Sequence, residues 1–220
     1  MQLKDIHTDK IPFVSGWFYH VFNKGNNKDN IFFNEANYKY FLQKFDQYLS
    51  KYIDTYTFCL LPNHFHILIR VKGTKSRNTQ EDNAKKHLKQ KLKNHEKSEE
   101  INQTIIQQFS NFFNSYTKSI NKQQDRNGSL FKKHFKRKII LDKKYLSHIV
   151  FYIHLNPIYH KITDDYENYK WSSYWRILED RPTKLQKEAL LNYFNGKEAF
   201  SSYHQRELQM SQEIEKYWME

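Results

Sequence analysis

The sequence predicts an α+β fold whose elements run strand, helix, strand, strand, helix, strand, helix. Aromatic and β-branched runs at 17–23, 53–61 and 64–71 favour extended chain. Between and after them, apolar residues recur at helical spacing over 34–52, 101–120 and 143–155. Strand direction comes from Pro62-Asn63, a two-residue break between two strand-like runs that predicts an antiparallel hairpin.

Composition narrows the function classes. Lys and Arg number 36 against 24 Asp and Glu, a formal charge of +12, which points to a polyanionic partner, most simply nucleic acid. The single cysteine, Cys59, excludes an intramolecular disulfide and a Cys-based zinc site, and suits a reducing cytoplasm. The first ten residues are charged and do not read as a signal peptide, and no apolar run approaches a membrane span, so no membrane partner is expected. A length of 220 residues suits one domain with extensions.

The elements follow in order. Trp17 to Asn23 reads as a first strand and Lys24 to Asn30 as a polar turn. His20 on this strand is a spare metal candidate, read first as a packed or hydrogen-bonded side chain. Asn34 caps a helix to about Tyr52 whose core stripe is Tyr38, Phe41, Leu42, Phe45 and Leu49. In the second strand, Tyr56, Phe58 and Leu60 share one face and Thr55, Thr57 and Cys59 the other. Residues 72–100 turn basic and polar and read as a solvated insertion, a basic arm if it touches phosphates. Ile101 to Ile120 forms a helix with Ile105, Ile106, Phe109, Phe112, Phe113 and Tyr116 inward. Ser129 to Ile140 reads as extended, its cations Lys132, Lys133, Lys136, Arg137 and Lys138 set among aromatics as a backbone-tracking groove requires. Asp142 caps the next helix, which Pro157 should end or kink at Asn156. The tail is helical over 188–194 and 203–217.

Two constellations carry chemistry. His64 and His66 alternate with Phe65 on the third strand, so both imidazoles point to one side and can hold a divalent ion with other positions open. Eleven histidines in 220 residues give about half such a pair by chance, so the spacing alone is weak. On the later helix, His148, Tyr152 and Asn156 are four apart and share a face.

Together these residues resemble a known family. Leu-Pro-Asn-His64-Phe-His66-Ile-Leu resembles the His-hydrophobic-His motif of single-tyrosine HUH endonucleases. Tyr152-Ile-His-Leu-Asn156-Pro157 resembles the signature of the REP-associated tyrosine transposases, relatives of the insertion-sequence 200-like transposases. Gly128-Ser-Leu-Phe131 and Trp171-Ser-Ser173 resemble further landmarks, in the expected order. The resemblance spans about Val14 to Trp175. It implies a mainly antiparallel sheet with helices packed on one side, ferredoxin-like or RRM-like. The chain is then expected to divide into a catalytic domain over 1–178, interrupted by the insertion at about 72–100, and a helical C-terminal extension over 179–220. The insertion and the tail lie outside what it explains.

The implied chemistry is metal-dependent cleavage and transfer of single-stranded DNA, hairpin or palindromic. Tyr152 would be the nucleophile that holds the 5′-phosphate, and His64, His66 and Asn156 the metal ligands. The implied ion is magnesium or manganese, although imidazole ligands suit manganese, zinc or nickel better than magnesium. Two rivals remain open: a phosphodiesterase in which metal-bound water attacks, and a non-catalytic single-strand binder on an RRM-like sheet. Monomer and homodimer are equally compatible with the sequence.

Overall fold

The computed structural model describes residues 11–73 and 95–218. Four strands form one sheet: β1 (Phe18–Lys24), β2 (Ile53–Leu61), β3 (His64–Val71) and β4 (Lys136–Ile140), in the order β2-β3-β1-β4 with every neighbouring pair antiparallel. With α1 (Glu35–Leu49) between β1 and β2, and α2 (His95–Gln123) between β3 and β4, the chain is a ferredoxin-like βαββαβ unit. It continues into α3 (Lys143–Tyr159), α4 (Tyr174–Leu178), α5 (Lys187–Phe194) and α6 (Lys197–Trp218). The expected α+β class and antiparallel sheet are those observed. Most of the expected insertion, 74–94, lies outside the described residues, and its last six residues belong to α2. No helix among the described residues is long and apolar enough to cross a membrane.

Alternation along the strands sends two sets of side chains to two faces. Tyr19, Val21, Phe65, Ile67 and Ile69 pack under α1 and α2, against Phe41, Phe45, Phe109, Phe112 and Tyr116. Asn34 fixes the start of α1 with a capping box, accepting from the Asn37 amide while the Asn37 side chain accepts in return. The helices expected on one side describe this layer. The opposite face carries a second helical layer: α3 packs on β2 and β3, and Leu190, Leu191, Phe194 and Phe200 of α5 and α6 share one core with Leu68, Cys59, Ile149, Val150 and Ile153. The C-terminal helices are therefore built onto the sheet through α3.

Three local expectations need correction. A bulge between Thr55 and Thr57 breaks alternation, so Tyr56 joins Cys59 and Leu61 on the α3 side and not Phe58 and Leu60. Only the last five residues of 129–140 are strand, although Gly25 and Phe131 form an isolated bridge beyond it. Finally, α3 runs past Pro157 to Tyr159. Proline removes one backbone donor, but Asn156 and Pro157 are buried and the last turn is kept, with the His160 amide bonding the Asn156 carbonyl at 3.0 Å.

Candidate active site

β3 is an inner strand, held by β2 on one side and β1 on the other. Its alternation turns His64 and His66 toward α3 while Phe65 is fully buried under α1 and α2. The two imidazole centroids are 5.3 Å apart and the rings nearly perpendicular. α3 begins at Asp142, whose carboxylate accepts from the Tyr145 amide at 2.6 Å. Leu146, Ile149, Val150 and Ile153 are buried along it, so the helical period carries Tyr152 to the imidazoles. The Tyr152 ring lies 5.6 Å from that of His66 and 5.9 Å from that of His20, edge-on to both.

Hydrogen bonds leave specific atoms unengaged. His64 Nδ1 donates to Asn63 Oδ1 at 2.6 Å, so its lone pair is on Nε2, a buried atom without a partner. The fully buried Asn156 donates from Nδ2 to the Tyr152 carbonyl at 2.7 Å, and its Oδ1 is also buried without a partner. Buried polar atoms are nearly always hydrogen-bonded, so two orphan acceptors at one site need a reason. A nitrogen and an amide oxygen, both lone-pair donors, are the atoms that a divalent cation takes. No group of three His, Cys, Asp or Glu side chains that could hold a metal occurs among the described residues. A three-ligand set here would therefore have to include the Asn156 amide oxygen, and His64 Nε2 and Asn156 Oδ1 are chemically suited to such an ion.

Electrostatics favour the ligating forms. Burial, then His160 and Lys24, lower the His64 pKa to about 4. Burial, then neighbouring imidazoles, hold His66 well below its usual range. Burial, then Lys138, bring His20 to about 3. All three rings are neutral at pH 7. Burial raises the Tyr152 phenol above its ordinary value, partly offset by the Asn156 side chain. Without added positive charge, Tyr152 stays protonated.

Three further residues shape the site. Asn63, read only as a turn residue, orients His64. His20 is buried and hydrogen-bonded to His66 at 2.8 Å, as its packed reading expected, but its partner was not foreseen. His160 lies 4.3 Å from His64, ring to ring. It is four residues past Asn156 and eight past Tyr152, a signal hidden when the helix is ended at Pro157. Next to it, the exposed Tyr159 ring stacks 6.0 Å from that of Tyr152. His148, by contrast, lines a groove with Tyr145, Tyr203 and Arg206.

The five expected DNA-binding cations divide. Lys136 and Lys138 pair with Phe22 and His20 across β1 and so share the imidazole face, exposed. Lys132 and Lys133 are exposed in the preceding segment. Arg137 is a correction. It lies on the opposite side of β4, 3% exposed, bonds the Ile11 carbonyl and sits over the rings of Phe13 and Phe135. It is a buried structural cation, out of reach of a phosphate.

No protein-family model matches the chain, and no curated protein matches it. Among solved structures, the chain is similar to a REP-associated tyrosine transposase bound to a REP hairpin, with 16% identity and a TM-score of 0.50 over 77% of this chain and 83% of that one. The likeness supports the ferredoxin-like fold.

Proposed function

We propose that this protein is a metal-dependent single-strand DNA endonuclease and strand transferase, with Tyr152 as its nucleophile and hairpin or palindromic DNA as its substrate. The observation that carries this reading is a phenol facing a histidine pair, beside two buried acceptors that have no protein partner. The hairpin bound to the structural neighbour names the substrate class by analogy. The net charge of +12 and the exposed Lys132, Lys133, Lys136 and Lys138 supply phosphate contacts.

When bound by His64, His66 and Asn156, magnesium or manganese supplies positive charge to the scissile phosphate. The side chains do the rest. Asn63 keeps the His64 proton on Nδ1. Tyr152 Oη forms a bond to phosphorus and gives up its proton as the P–O3′ bond breaks. The departing 3′-oxygen takes a proton and leaves as a hydroxyl. The strand's 5′-phosphate remains esterified to Tyr152, and attack by another 3′-hydroxyl reverses the step and joins a new pair of ends.

One observation weighs against the RRM-like binder. Over β2 and β3, the sheet face such a binder leaves open for bases is packed here under α3. The deciding experiment incubates the protein with a hairpin oligonucleotide labelled at its 3′ end, with manganese. The expected result is a labelled covalent adduct that Tyr152→Phe does not form. Full-rate cleavage by Tyr152→Phe without an adduct would overturn the covalent step in favour of water. Salt-sensitive binding that survives chelation and His64→Ala, with no cleavage, would leave only a binder.

A further inference from the structure

Each imidazole at the site has one nitrogen to offer, and the hydrogen bond on the other nitrogen decides which. For His64 the question is closed, because Asn63 Oδ1 can only accept. For His66 it is open. Its Nδ1 meets the Nε2 of another imidazole, His20, at 2.8 Å. Two neutral rings share one proton there. If His20 donates, the His66 proton sits on Nε2 and that nitrogen cannot bind a cation. If His66 donates, Nε2 carries a lone pair.

We propose that His20 is a positioning residue that accepts from His66 Nδ1–H, and thereby presents His66 Nε2 as a lone-pair donor to a divalent cation. The proposal rests on the metal-dependent reading above and names a residue that the reading does not use. The fold holds His20 tightly in this role. It sits on β1, an inner strand, opposite Leu68 of β3 and Lys138 of β4, while its neighbour Phe22 lies opposite His66. His20 is therefore diagonal to His66 across the pair, within reach on the same face. The Phe22 ring stacks on both, 4.9 Å from His20 and 5.6 Å from His66. Tyr152 closes the other side, edge-on to both. Aromatic rings therefore flank both imidazoles. A buried histidine behind a ligand histidine is chemically an acceptor that fixes tautomer and ring plane, the part that a carboxylate or carbonyl plays in many metal sites.

The test compares wild type with His20→Leu and His20→Gln. Gln places an amide oxygen at about the reach of Nε2, so it restores an acceptor. ¹⁵N NMR of the metal-free proteins reads the His66 tautomer, and calorimetric titration with manganese alone reads affinity. Circular dichroism confirms that each variant is folded. The expected result is a wild-type His66 protonated on Nδ1, a shift toward Nε2–H in His20→Leu, and recovery in His20→Gln. Manganese affinity should fall about 10–100-fold in His20→Leu and recover most of that loss in His20→Gln. A wild-type His66 protonated on Nε2, or a folded His20→Leu that keeps both tautomer and affinity, would overturn the proposal. So would a wild-type protein that binds no manganese. Metal binding in the expected pattern without any protein–DNA adduct would leave the proposal standing and remove strand transfer.

Discussion

Two histidine clusters lie on the same face of one sheet, and they differ in one respect. His154 and His204 form a closed network. His204 Nδ1 donates to the Phe200 carbonyl at 2.8 Å, His154 Nδ1 donates to His204 Nε2 at 2.9 Å, and His154 Nε2 accepts from the Thr57 hydroxyl, which accepts in turn from that of Ser173 at 2.6 Å. Ser173 accepts in turn from the Phe58 amide at 2.8 Å. All four side chains are fully buried and satisfied. In the cluster of His20, His64 and His66, His20 and His66 are nearly as buried, yet the half-buried His64 leaves Nε2 open, and Asn156 Oδ1 on α3 is open too. A closed network fixes α3 and α6 to β2. The open one leaves two acceptors without a protein partner. Burial alone would not have told them apart, since both clusters consist of neutral histidines with depressed pKa values.

Substitutions can sharpen this contrast. The largest effect expected is Tyr152→Phe, which removes the DNA adduct entirely while leaving the melting temperature almost unchanged, as a gel assay beside calorimetry would read. Next, His154→Ala should cost about 3 kcal/mol in urea unfolding, because it strands the hydroxyls of Thr57 and Ser173 in the interior. His64→Ala should cost under about 1 kcal/mol, since an orphan acceptor leaves with the ring, yet it should abolish manganese binding. If His154→Ala were as mild as His64→Ala, the distinction between the clusters would fail.

Acid should act on both clusters in the same sense. With folded pKa values near 4 for His64 and His204, against an ordinary value of 6.5, the unfolded chain binds more protons between those limits. The stability is full above about pH 6.5 and drains away as the pH falls toward 4. Urea midpoints measured across that range check this, and manganese should protect only through the open cluster. The smallest effect is at the rim: Lys136→Ala or Lys138→Ala should each weaken hairpin binding uniformly and lower the salt slope by about one unit. Arg137→Ala should change folding stability and leave that slope alone.

Much of this site is legible in the sequence because it obeys local periods. His64 and His66 follow the strand period of two, and Tyr152 and Asn156 the helical repeat. What was hidden breaks a period or spans a distance. The Thr55–Thr57 bulge reversed the face of Tyr56. A proline that did not stop α3 concealed His160. The partners of His154 are 97 residues before it and 19 and 50 after it in the chain, beyond any local rule. Arg137 was grouped with its neighbours by charge, although alternation along β4 separates it from Lys136 and Lys138.

The stretch Trp171 to Ser173 lies along the outer edge of β2, with the Leu60 amide bonded to the Trp171 carbonyl and the Ser173 amide to that of Phe58. That strap, together with α6, forms a brace behind the helix that carries the phenol. A chain shortened before Phe200 would retain His64, His66, Tyr152 and Asn156 and lose the packing that supports α3 from behind. The position of the Tyr152 ring is thus supported from behind α3, by residues that do not touch it.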